Sequence, residues 1–212
     1  MRLLRTLCFV LALWEGSAIA GDEVPAEARA AWAAMSEVPS LEARFRQVRT
    51  TRLLAKPLHA TGLLRFQRPD RLAWILESPG RSVLVMRGTT VGLSYPDLGV
   101  RQEMDLKDDP EMERLARGMM VWLAGDLDAV TRDYTIAWQA SEEGDVALLT
   151  PRSEALTGLI RDIALTIEGV PPQVSRVVLR EPDGDTVEIE LYDMHPGVPL
   201  TEAHFRLPEG TR

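Results

Sequence analysis

The side chains of this 212-residue chain best able to do chemistry are three histidines, one cysteine and two acidic runs. His195 and His204 stand nine positions apart, but no third ligand at suitable spacing completes a tetrahedral zinc site. His59 precedes an apolar alternating segment and has no partner motif. Asp183 and Asp185 offer carboxylates to calcium, yet the twelve-residue loop pattern of calcium sites is missing, so Pro182-Asp183-Gly184-Asp185 reads as a hairpin turn. Lys107-Asp108-Asp109 reads as a loop leading into a helix cap. There is no G-x-S-x-G, no H-E-x-x-H, no glycine-rich phosphate loop and no C-x-x-C. Neither catalysis nor a metal or other cofactor is expected, which leaves binding as the class of function.

The N-terminus points to export. Arg2 and Arg5 precede the apolar run Leu7–Trp14, and Ala18-Ile19-Ala20 then forms an A-x-A cleavage site before Gly21. That run is too short for a spanning helix, and no later segment reaches about 18 uninterrupted apolar residues. Cys8 lies inside the apolar run, not after it, so cleavage is expected and not lipidation of this chain. The expected organisation is a signal peptide over 1–20 and one domain over 21–212, located in the periplasm. Removing 1–20 removes the only cysteine and a net charge of +1, so the mature charge falls from −8 to −9. A core without disulfides must hold such a chain. The acidic balance argues against nucleic acid and against resting on anionic lipid.

Ala28, Trp32 and Met35 recur at helical spacing within residues 24–37, and Pro39 ends that helix. From Leu41 the period changes to two. Leu41, Ala43 and Phe45 alternate with charged residues; Gly62, Leu64 and Phe66 follow, then Leu72, Trp74 and Leu76. Ser82–Met86 and Thr90–Ser94 flank the turn Arg87-Gly88, while Arg68-Pro69-Asp70 and Ser78-Pro79-Gly80 separate earlier strands. Asp109-Pro110-Glu111 opens a second helix whose apolar side carries Met112, Leu115, Met119 and Trp122 up to Gly125. Further strands are expected at Tyr134–Gln139, Val146–Leu149, Leu159–Glu168, Gln173–Arg180, Thr186–Tyr192 and Ala203–Leu207. About eleven antiparallel strands with two short helices make the chain mainly β. A sheet that long curls, and two helices cannot fill its inner side. The expected architecture is a half-open barrel with a helical lid over a hydrophobic cavity. Phe45, Leu64, Phe66, Leu72, Trp74 and Leu76 would line it from the sheet; Met112, Met119, Met120 and Trp122 would line it from the lid. Methionines under a lid suit a pocket that must adapt to its contents.

The segment Phe66-Gln67-Arg68-Pro69-Asp70-Arg71-Leu72-Ala73-Trp74 resembles a signature of the periplasmic outer-membrane lipoprotein carriers, the LolA family. Phe45-Arg46-Gln47, Gly62-x-Leu64-x-Phe66, Leu148-Leu149-Thr150-Pro151, Asp183-Gly184-Asp185 and Phe205 with Pro208-Glu209-Gly210 resemble further family segments in the same order. The resemblance implies a non-enzymatic carrier with the half-barrel and lid. Such a carrier accepts acylated proteins from an inner-membrane ABC transporter and hands them to an outer-membrane receptor. It also implies that Arg68 latches the lid through hydrogen bonds to lid carbonyls. Leu72 stands where the family has a phenylalanine tied to cargo transfer, and Trp74 matches the family tryptophan. The expectation is a monomer that shields acyl chains of lipoproteins. A carrier of another acylated molecule, such as a glycolipid or aryl-polyene lipid, and a periplasmic protein-binding or sensor domain remain open alternatives.

Overall fold

The computed structural model describes residues 24–108, 118, 120–142 and 144–208. The signal peptide expected over 1–20, the helix start expected at Asp109-Pro110-Glu111, and Met112, Leu115 and Met119 lie outside the described residues. Helix α1 spans Ala26–Ser36 and buries Ala28, Trp32 and Met35, the three residues whose spacing marks its apolar face. Strands β1 (Ser40–Thr50), β2 (Leu58–Gln67), β3 (Arg71–Ser78), β4 (Ser82–Arg87), β5 (Thr90–Tyr95) and β6 (Val100–Asp105) follow as a meander. A helical segment at 120–124 and helix α2 (Leu127–Asp133) lead to β7 (Tyr134–Gln139) and β8 (Asp145–Pro151). Helix α3 (Glu154–Thr157), then β9 (Asp162–Glu168), β10 (Gln173–Arg180) and β11 (Thr186–Pro196) complete the order.

All eleven strands form one antiparallel sheet ordered β6-β5-β4-β3-β2-β1-β11-β10-β9-β8-β7. The sheet is open: β6 and β7, consecutive in the chain, occupy its two opposite edges. The chain therefore leaves one edge of the sheet at Leu106 and joins the other after Asp133. This crossover is anchored at both ends, where Leu106 donates to the Thr89 carbonyl (2.8 Å) and Arg152 donates to that of Asp133 (2.9 Å). No helix among the described residues is long and apolar enough to cross a membrane.

Period-two alternation puts one set of side chains on the inner face beneath the helices. Two apolar clusters fill that face. The first gathers α1, Trp122, Val130 of α2 and the inward residues of β7–β10. The second gathers Leu41, Ala43, Phe45, Leu64, Phe66, Leu72, Met86, Met120 and Leu191. At the centre, Gly62 pairs with Phe45, and a Cβ there would lie 2.6 Å from the Phe45 ring and 2.0 Å from the Ile75 carbonyl oxygen. Only a glycine lets that ring lie across β2.

The outer face differs from the sequence expectation at one place. Residues Ala203–Leu207 are not a strand; Glu202–Phe205 form a 3-10 turn. Phe205 and Leu207 pack on Ala73 and Val85, the outward residues of β3 and β4. Those outward positions are apolar, so β3 buries residues on both faces and needs a cover. The turn is closed by Thr201, whose backbone N–H donates to His204 Nδ1 (2.9 Å). The expected total of eleven strands holds because β6 takes the missing place. Every residue of β6 is exposed, so no apolar period marks it in the sequence. Likewise, β9 begins at Asp162 and not at Leu159, because α3, capped by the Ser153 side chain, precedes it.

Candidate functional site

Arg68 occupies the end of β2, where its backbone N–H donates to the Pro39 carbonyl (2.9 Å) and fixes the turn against the exit of α1. From there the guanidinium reaches three carbonyls on two separate elements. Nε donates to Val38 (2.8 Å), and Nη2 donates to Met35 (3.1 Å) and to Ala124. Met35 lies in the last turn of α1, and Ala124 ends the segment 120–124. Carbonyls at helix ends lack intrahelical partners and carry the negative pole of the helix, so a forked cation suits them. Partial burial lowers the Arg68 pKa from its ordinary value, while the nearby carboxylates of Asp126 and Glu37 act the other way. The guanidinium also sits 5.9 Å from the Phe66 ring centre. Gly125, in a left-handed conformation (φ +59°), permits the close approach of the two elements, because a Cβ there would stand 2.8 Å from the Met35 Cβ. A cleft of about 470 Å³ lined by Arg29, Ser36, Arg68, Gly125 and Asp126 opens beside this junction.

Phe45, Leu64, Phe66 and Leu72 are brought together, each almost fully buried in the second cluster. Trp74 and Leu76 pack against them half-buried, and the Phe45 and Trp74 rings lie 4.3 Å apart. Met120 joins this group, but Trp122 does not; it packs in the first cluster with Trp32. Segment 120–124 thus straddles both clusters, where one apolar side was expected. Met112 and Met119 are not among the described residues.

Sequence reasoning missed a second feature. Among the described residues, the indole N–H groups of Trp32, Trp122 and Trp138 are buried without a hydrogen-bond partner. Trp32 and Trp138 have ring centres 5.8 Å apart; Trp32 and Trp122 belong to the first cluster, and the half-buried Trp138 packs against it. The spacing of Trp32 marks it as core, but neither the convergence with Trp138 nor the missing acceptors shows in a linear sequence.

The remaining polar residues do structural work. Glu181, Asp183 and Asp185 hold carboxylate oxygens within 4.8 Å of one another. Each has a partner: Asp183 accepts from the Asp185 backbone within the hairpin (3.0 Å), Asp185 accepts from the Arg52 backbone after β1 (3.1 Å), and Glu181 pairs with Arg49 of β1 (3.2 Å). A hydrogen bond from Thr51, with the Arg52 backbone bond and neighbouring arginines, holds the Asp185 carboxyl below its usual range. His195 faces Asp193 (3.2 Å), while His204 caps its own turn.

The open apolar sheet face is bridged by helical elements that one arginine ties down, and among the described residues it carries no assembled catalytic group. The family model for "Outer membrane lipoprotein carrier protein LolA" matches residues 36–208. An outer-membrane lipoprotein carrier protein of Pseudomonas aeruginosa PAO1 is 28% identical over 158 residues, 73% of this chain and 71% of that one. The Pseudomonas fluorescens Pf0-1 protein of that description is 27% identical over 212 residues, 99% of this chain and 97% of its own. Among solved structures, an uncharacterized conserved protein from Thermus thermophilus superposes with a TM-score of 0.56 at 12% identity, over 86% of this chain and 95% of that one. MucB in the Pseudomonas aeruginosa MucA/MucB complex superposes with a TM-score of 0.50 at 14% identity, over 86% of this chain and 62% of that one. By its match over residues 36–208 and the open eleven-strand sheet beneath helices, the chain belongs to the outer membrane lipoprotein carrier (LolA) family.

Proposed function

We propose that this protein shields the acyl chains of lipoproteins and carries them through the periplasm, from an inner-membrane ABC transporter to an outer-membrane receptor. The single observation that carries the reading is Arg68, whose guanidinium joins the carbonyls of α1 and of segment 120–124 over the inner face. In this role Arg68 is the lid latch. The cargo site comprises Phe45, Leu64, Phe66, Leu72, Trp74, Leu76, Met120 and Trp122, and includes Met112 and Met119 outside the described residues. Each buried CH₂ contributes roughly 0.8 kcal/mol, so a chain of about sixteen carbons needs on the order of 10 kcal/mol of shielding from water. The latch supplies a two-state element: cargo that displaces the residues beneath it shifts the balance toward the open form.

Leu72 favours a second cargo on the same site. It keeps an apolar group but leaves out the family's ring, which suits a glycolipid or other acylated small molecule. Mass spectrometry of the mature protein purified from its native periplasm tests both readings. Acylated peptides are expected under the first and free lipids under the second. An empty protein that also fails to bind an acyl dye sinks both and favours a protein-binding role.

A further inference from the structure

Tryptophan is a donor only, and a buried indole N–H normally finds an acceptor. Leaving one unpaired costs about as much as a lost hydrogen bond. Here, among the described residues, three are unpaired at one cluster, on three separate elements: Trp32 on α1 and Trp122 in segment 120–124 within it, and Trp138 on β7 packed against it. Trp32 is fully buried and Trp122 is 8% exposed, so neither N–H is turned to solvent. Arg68 ties together α1 and segment 120–124, the elements that carry two of these indoles, through carbonyls three and two residues further along the chain. Release of that tie therefore moves the donors as well as the roof.

Resting on the carrier reading above, we propose that Trp32, Trp122 and Trp138 form a subsite for the ester and amide carbonyl oxygens that join acyl chains to their head group. Such oxygens are acceptors without a proton, the complement of an indole N–H. The cluster's other members are aliphatic side chains, alanines, Met35 and Tyr134, none of them charged. A carboxylate or phosphate would lie there without a counter-charge, which is costly, whereas a neutral carbonyl is not penalised in this way. Donors at this depth read where the hydrocarbon ends, a feature that an apolar pocket alone cannot recognise. Cargo carbonyls also relieve donors that the closed form leaves unsatisfied.

The test is a titration of the mature protein, with indole nitrogens labelled, by methyl laurate and by tridecane, an ester and a hydrocarbon of similar length. The ester is expected to shift at least two of the three indole N–H resonances and to bind about fivefold more tightly per engaged donor than the hydrocarbon. Trp32→Phe and Trp138→Phe keep an aromatic ring and lose the donor. Each is expected to weaken ester binding and leave tridecane binding unchanged. Equal affinity for both compounds in the unmodified protein, with unmoved indole resonances, overturns the subsite while leaving the carrier reading intact. Binding of neither compound overturns both. The wild-type comparison needs no variant, so a poorly folding substitution does not obscure the answer.

Discussion

The two halves of the inner face are built from different side chains. In the cluster beneath α1 and α2, Val130, Ile160, Ile163, Ile167, Val174 and Val177 branch at Cβ and hold few rotamers. In the adjoining cluster over β1–β5, Val91 is the branched member among the described buried residues; Leu41, Leu64, Leu72, Leu106, Phe45, Phe66, Met86 and Met120 make up most of the rest. Leucine and methionine repack more readily than valine and isoleucine. One half is therefore a stiff wall bearing polar donors, and the other an adaptable bed. Arg68 stands where the elements over the two halves meet. A carrier needs both, one to position a guest and one to accommodate guests of differing shape.

The comparison can be broken by mutation. Phe45→Ala removes the ring at the centre of the adaptable half and is expected to cost about 3–5 kcal/mol in urea unfolding. A loss of under about 1 kcal/mol would show that this half is not packed around Phe45. Gly62→Ala forces a Cβ against the Ile75 carbonyl and the same ring, and is expected to cost about 3 kcal/mol. The next test compares the halves directly. Leu64→Met should cost less than about 1 kcal/mol, whereas Ile163→Met in the stiff half should cost about 2 kcal/mol. Equal costs would erase the distinction.

Arg68→Leu acts on function more than on stability. Transfer of an acylated peptide to acceptor membranes should fall about tenfold with the fold retained by circular dichroism, and Arg68→Lys should restore part of it because a point charge cannot reproduce the fork. Wild-type transfer by Arg68→Leu would remove the latch.

The smallest effect concerns pH. Burial, with Asp133 nearby, pushes the Tyr134 phenol up to about 12 in the stiff half. The folded state thus holds this proton more tightly than the unfolded chain does. The stabilisation is complete below about pH 10 and is lost as pH rises toward 12. Tyr134→Phe should flatten stability across that window, measured by denaturant midpoint; an unchanged slope would place the ionisation elsewhere.

Much of this was legible in the sequence, for identifiable reasons. Alternation at Leu41–Phe45, Gly62–Phe66 and Leu72–Leu76 marks strands because one face is buried and the other wet. The same rule fails at β6, where both faces are wet, and at Phe205, whose apolar contacts are made from a 3-10 turn and not from a strand. Arg68 is visible as a residue type before a proline, but its partners are backbone carbonyls of Met35, Val38 and Ala124, which any side chain at those positions would present. The tryptophans are visible one by one. Their meeting is a property of tertiary packing, since Trp32 and Trp138 lie on elements far apart in the chain.

The crossover between the two sheet edges has a mechanical meaning. Ten gaps of about 4.8 Å give a contour of about 48 Å from β6 to β7. The connection is made fast at its two described ends, by Leu106 on the β6 side and Asp133 on the β7 side. On the β7 side the chain runs without a break from Met120 through α2 to Tyr134, and Arg68 holds the Ala124 carbonyl within that stretch. The roof and the β7 rim are thus one piece of backbone, so a load on the first is felt by the second without any further contact between them.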